Sequence, residues 1–156
     1  MKSRTAAAVA LAATLLLGTT GCTFGADIAT NIDYEPSDGV GGEVGELALR
    51  NALLIGEDGD LLNLVISVAN SSDSDETLTV QWEGEGGAES ADFVVPAGGF
   101  VAIGAEEEVL VTGADATIGS LMPVFFQYGD EPGTELLIPV LDGGLPEYEL
   151  FVPSGE

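Results

Sequence analysis

The chain has 156 residues, of which 27 are acidic, 3 are basic and none is histidine, for a formal net charge of −24. That balance argues against nucleic acid as a partner, because binding it depends on Lys and Arg neutralising phosphates; docking on an anionic lipid surface would need an anchor. Lacking histidine, the chain has neither the commonest general base nor the commonest metal ligand, so it reads as a non-enzyme with no cofactor.

Lys2 and Arg4 open a leader in which residues 6–17 run apolar apart from Thr14, followed by Gly18-Thr19-Thr20-Gly21 and then Cys22. Charge, apolar core and small residues in that order mark a secretory signal rather than a structural helix. Cys22 is the only cysteine, and its place directly after the small residues marks it for lipidation, with cleavage on its N-terminal side. Residues 1–21 are therefore read as a lipoprotein signal peptide, and a lipid on Cys22 as the anchor to the extracytoplasmic face of the cell membrane. Two acyl chains suit that role, since each buried CH2 contributes about 0.8 kcal/mol and one chain alone holds only marginally. An uncleaved span is the poorer alternative, because 6–21 falls short of the roughly 20 apolar residues a bilayer requires. Thr19 stands where bacterial lipoprotein signals usually carry Leu, which keeps cleavage without a lipid open.

Every acidic residue lies beyond residue 21, where Arg50 is the only cation. Such a surface keeps a domain solvated, or holds a cationic partner or metal ions. Arg50 is expected to pair with a carboxylate. No lysine remains past the leader, so a serine nucleophile has neither a His nor a Lys activator. Only carboxylate chemistry survives, and it requires two acids at a set separation in a cleft.

Residues 22–45 read as a lipidated N-terminus and flexible tether, rich in turn formers such as Asp33-Tyr34-Glu35-Pro36-Ser37-Asp38-Gly39. Tyr34 has a second placement, packed on the domain as an added edge. From residue 46, short β-type runs recur between turns. In 46–55 one face carries Leu47, Leu49, Leu53 and Ile55; after the turn at 56–60, Leu62, Leu64, Ile66 and Val68 face one way, with Asn63 and Ser67 outward. The two runs predict a hairpin. Leu78, Val80 and Trp82 then alternate with Thr77, Thr79, Gln81 and Glu83, placing Trp82 in the core. Further strands are expected at 92–95, 100–103, 108–112, 123–128, 135–141 and 148–152, and one helical turn is open for 117–122. Regularly spaced short strands with Gly- and Pro-rich turns predict an all-β domain over 46–156, an antiparallel Greek-key sandwich of cupredoxin-like or immunoglobulin-like type.

Three stretches carry a resemblance. Gly45-Glu46-Leu47-Ala48-Leu49-Arg50-Asn51, Leu64-Val65-Ile66-Ser67-Val68-Ala69-Asn70 and Thr77-Leu78-Thr79-Val80 are similar to envelope lipoproteins of high-GC Gram-positive bacteria, distant relatives of the PCu(A)C periplasmic copper chaperones. Val94-Val95-Pro96-Ala97-Gly98-Gly99-Phe100-Val101 resembles that family's apolar-Pro-Ala-Gly-Gly run, and the likeness covers about residues 28–141. It implies a cupredoxin-like sandwich outside the cytoplasmic membrane. Copper chaperones of the family hold Cu(I) with histidines and methionines, including a His-x-Met pair on the strand after the Gly-Gly turn. Near that place this chain offers Glu108 and Leu110 in the run 105–111, and Met122 alone cannot make a site. Soft ligands select Cu(I), whereas carboxylates suit hard cations, so the resemblance carries over the fold and the envelope setting but no copper ligand.

The densest acidic clusters are Glu106-Glu107-Glu108, Glu57-Asp58-Gly59-Asp60 and Asp73-Ser74-Asp75-Glu76. Asp58-Gly59-Asp60 meets only a fragment of a calcium-loop pattern, and acids in hairpin turns serve turn formation. The sequence therefore favours a non-enzymatic envelope lipoprotein whose sandwich binds another envelope component, with a basic protein the partner that charge suits. The alternative is a metal-handling protein descended from a copper chaperone.

Overall fold

The structure is a computed structural model that describes residues 36–114 and 116–154, together with Thr5. Cys22, the leader and Tyr34 lie outside the described residues. The chain divides into two units, 1–34 and 35–156. Every strand described below belongs to the second unit.

Nine strands succeed one another: β1 (Val40–Val44), β2 (Leu47–Ile55), β3 (Leu61–Asn70), β4 (Glu76–Gly84), β5 (Gly87–Val95), β6 (Phe100–Ile103), β7 (Leu110–Thr112), β8 (Leu121–Tyr128) and β9 (Thr134–Leu141). They pair in the order β5-β4-β8-β9-β2-β3-β6, with β1 also on β2 and β7 also on β3. This curled arrangement is an all-β sandwich of the cupredoxin-like or immunoglobulin-like kind. One ladder departs from the antiparallel expectation. β2 and β9 run parallel, through Leu54 opposite Val140 and Ile55 opposite Leu141. β1 takes the Leu47–Ala52 stretch of β2, while β9 takes the end of the same strand. On the far side of β3, β6 pairs with Ile66–Ala69 and β7 with Leu61–Asn63, so the 104–109 connection loops out between two ladders in line.

The predicted hairpin forms, and Leu62, Leu64, Ile66, Val68, Leu78, Val80 and Trp82 are all buried in one core with Val124, Phe126, Ile138 and Val140. On β2 the expected face is broken. Leu47 and Leu49 enter this core, but Ala52 and Leu54 follow them there, while Leu53 and Ile55 are buried outside it. A bulge causes the switch: the register slips between Arg50 and Leu53, and Asn51 adopts φ 52°. One extra residue in a strand reverses the side every later side chain faces. Asn51 also accepts the Gly39 amide through Oδ1 at 3.0 Å. Asn tolerates positive φ where a β-branched residue does not. Asn51→Val is expected to destabilise the domain by about 2–3 kcal/mol, and Asn51→Gly by roughly 1 kcal/mol or less, read from urea midpoints.

Two further expectations change. The stretch 40–44, read as the end of the tether, is the strand β1. Val44 is buried, Arg50 Nη1 donates to Gly42 O at 3.1 Å, and Arg50 Nη2 pairs with Glu43 Oε1 across the strands at 3.6 Å. A Cβ at Gly42 would stand 2.9 Å from Leu136 Cδ2, so glycine lets β1 lie close against β9. At the other end, 148–152 is no strand but a 3-10 turn, Glu149–Phe151, with Tyr148 N donating to Leu145 O and Phe151 N to Tyr148 O. Its alternating apolar residues suit a strand, yet Leu150 is exposed and the backbone amides close local turns instead. The 117–122 stretch likewise splits, a turn followed by the start of β8.

The C-terminal turn is tied back to the segment before β1, where the Tyr148 hydroxyl donates to Asp38 Oδ2. The Tyr148 pKa is pushed up to about 12, first by that hydrogen bond, then by desolvation and the charges of Asp38 and Glu147. A free phenol titrates near ~10. The folded state thus holds the proton more tightly, so the contact's contribution is complete below about pH 10 and is lost as pH climbs through about 12. An absorbance titration at high pH is expected to show a late tyrosinate step that Tyr148→Phe removes, with a smaller fall in stability over that window in the variant.

Candidate binding cleft

β5 and β6 are consecutive strands joined through residues 96–99, yet each is an edge. β5 pairs with β4 and β6 with β3, and no ladder joins the two. Between them lies a cleft of about 780 Å³. Successive residues line it on both sides, 90–94 from β5 and 101–103 from β6 with Gly104 after it, so it runs along strand edges rather than over one face of a sheet. Trp82, Phe93, Val101, Ile103 and Val109 supply apolar lining, and Glu106, Glu107 and Glu108 stand on its exposed rim. Val94 and Leu110, also on its wall, are 62% and 41% exposed.

The rim depends on one side chain that alternation places outward. Asn63 is fully buried. Its Nδ2 donates to Gly104 O at 2.9 Å and to Phe151 O at 3.1 Å, while its Oδ1 accepts the Val109 amide at 2.9 Å. Leu64 N adds a bond to Val109 O at 2.9 Å. Both ends of the acidic loop are therefore pinned to β3, and Phe151 brings the C-terminal turn over the same face. Gly104, at φ 76°, ends β6 and starts the loop. The expected strand at 108–112 consequently shrinks to β7, and the three glutamates sit on a loop instead of alternating across a sheet.

Trp82 is 7% exposed and lines the cleft. Among the described residues its indole Nε1 is the one buried side-chain polar atom with no hydrogen-bond partner. A buried donor left unpaired costs about 1–3 kcal/mol, and this one is closed to solvent.

The other acidic clusters make local turn and loop contacts. Asp58 Oδ1 accepts the Asp60 amide, Asp75 Oδ1 the Ala97 amide, and Glu76 Oε1 the Ser74 hydroxyl. Glu108 Oε1 accepts the Ser154 amide at 3.3 Å. Among the described residues no three side chains of His, Cys, Asp or Glu converge where a metal could sit. Copper is poorly served by what is present. Met122 is a core side chain opposite Ile138, and Leu110 offers no donor atom. The polar side chains of the cleft lining are Ser90, Asp92 and the three glutamates, and Asp92 Oδ1 accepts the Thr79 hydroxyl at 2.7 Å.

No family model matches the chain, and no curated protein matches it. Among solved structures it is similar to the copper-bound PCuAC domain from PmoF2, at 14% identity and a TM-score of 0.51, over 66% of this chain and 97% of that one. It is also similar to the apo PmoF2 PCuAC domain, at 15% identity and a TM-score of 0.53, over 68% of this chain and 98% of that one. At such identity the likeness is one of fold: the sandwich is PCuAC-like.

Proposed function

We propose that this chain is a non-enzymatic lipoprotein of a high-GC Gram-positive envelope, anchored by a lipid on Cys22, whose sandwich binds another envelope component. The observation that carries the binding role is the cleft between β5 and β6, with apolar side chains in its lining and an acidic rim. The leader, with its basic start, apolar run and terminal Cys22, supports the anchored setting. Cys22→Ala is expected to move the protein from the membrane fraction to the soluble one. Retention of that variant in the membrane would sink the lipid anchor.

The fold shared with a copper-bound PCuAC domain favours a second reading, a metal-handling protein. A calorimetric titration of the full chain in mild detergent with Cu(I), Cu(II), Ca2+ and Zn2+ separates the two. Only weak, salt-sensitive association is expected, as carboxylates without soft donors give. Saturable copper binding at micromolar or tighter affinity would establish the metal reading in its place.

A further inference from the structure

We infer that the cleft takes an extended, cationic peptide segment, which adds as a strand along the free edges of β5 and β6. The inference rests on the binding role proposed above and names its ligand. Three observations converge on it. Both walls are strand edges without a partner, and an edge strand leaves alternate N–H and C=O groups free to pair with an added chain. The walls are contributed residue by residue along 90–94 and 101–104, as a track for backbone would be, rather than by one alternating face. The rim carries Glu106, Glu107 and Glu108, while the only cation of the described residues, Arg50, is engaged with Glu43 on another strand pair.

Charge selects the ligand's sign and the apolar lining selects its pattern. A segment alternating basic and apolar residues places one set against Trp82, Phe93 and Val101 and the other toward the glutamates. An acidic segment meets repulsion from the same rim, so discrimination comes from both attraction and exclusion. Proline at alternate positions removes the donors the edges require.

Trp82 is the only tryptophan of the chain, so its emission reports the cleft directly. The probe is a capped peptide alternating lysine and valine over nine residues, the length of β5. It is titrated into the full chain in mild detergent beside its alternately N-methylated counterpart and a glutamate-for-lysine version. Saturable change in Trp82 emission is expected with the basic peptide, with affinity at least about tenfold weaker after N-methylation. The glutamate peptide should not bind. Glu106→Gln combined with Glu107→Gln, both exposed positions, should weaken the basic peptide by about tenfold near 0.15 M salt. Equal binding of the N-methylated peptide would overturn strand addition in favour of plain charge attraction. No emission change with any peptide would overturn the inference as well.

Photo-crosslinking in cells distinguishes this failure from failure of the binding role. Crosslinkers at Val94 or Leu110 in the cleft should capture a partner, and those at Leu121 or Leu137, exposed outside its lining, should not. Crosslinks confined to Leu121 or Leu137 would overturn the cleft and retain the binding role. An absence of crosslinks at all four positions would overturn both.

Discussion

Asn63→Leu is expected to destabilise the domain by about 3–5 kcal/mol, because it strands Gly104 O, Val109 N and Phe151 O at once, and each unsatisfied buried group costs about 1–3 kcal/mol. Leucine matches asparagine in bulk, so lost volume adds little and the deficit is one of hydrogen bonding. For a domain of this size the melting temperature should fall by roughly 10–20 °C. Ser67→Ala, exposed on the same strand, should stay within about 0.5 kcal/mol and serves as the control. Thermal melts followed by circular dichroism read both. A loss under about 1 kcal/mol in Asn63→Leu would mean that the acidic loop is held by its backbone ladders alone. The loop and the C-terminal turn share this one side chain, so amide exchange at 105–109 and at 149–152 should quicken together.

The second large effect is expected at Gly104. A Cβ there would lie 2.0 Å from Leu64 O, a backbone atom, and 3.0 Å from Asn63 Oδ1, at a φ of 76°. Gly104→Ala should therefore cost more than about 3 kcal/mol, combining positive-φ strain with a clash that no rotamer relieves. Gly98→Ala isolates the first component. Its φ is 59° and nothing stands within 4 Å of its would-be Cβ, so about 1 kcal/mol is expected there. Denaturant midpoints compare the two, and similar losses at both sites would refute the clash.

Much of the sandwich is legible in the sequence because strand side chains alternate with period two. The inward sets of β3 and β4 follow directly, including Trp82, and the turn at 56–60 is written in its Gly and Asp residues. What alternation hides is any residue whose partners are distant. Asn63 sits at an outward position of an amphipathic strand, and nothing local distinguishes it from Ser67. Only the arrival of 104–109 and Phe151 makes it interior. Asn51 is a different failure: a bulge adds one residue to a strand already apolar on both sides, Leu53 and Leu54 alike, so the pattern fits either register. The faint sign is an Asn in the middle of a β run. At the C-terminus, Tyr148, Leu150 and Val152 alternate correctly for a strand and still form a turn. The cleft is the least legible. Its rim glutamates stand out as a run of charge, but its walls come from two strands whose failure to pair is a property of the whole sheet order. The unpaired Trp82 nitrogen has no sequence signal at all.

The parallel ladder between β2 and β9 carries a consequence for how the protein comes into being. Leu54 lies early in the domain and its partner Val140 near the end, so the seam that joins the two layers is also the longest loop to close. Closure of such distant segments is slow relative to hairpin formation. Chains emerge from the ribosome N-terminus first, so β2 and β3 can zip together while the layer of β4, β8 and β9 is still incomplete. Residues 134–141 then dock as the strand that joins the two layers of the sandwich. Until they arrive, the flank of β2 beyond β1 stays open, and any chain cut short before Thr134 keeps it so. Birth order thus makes β9 the element on which a finished molecule and an aborted one differ most.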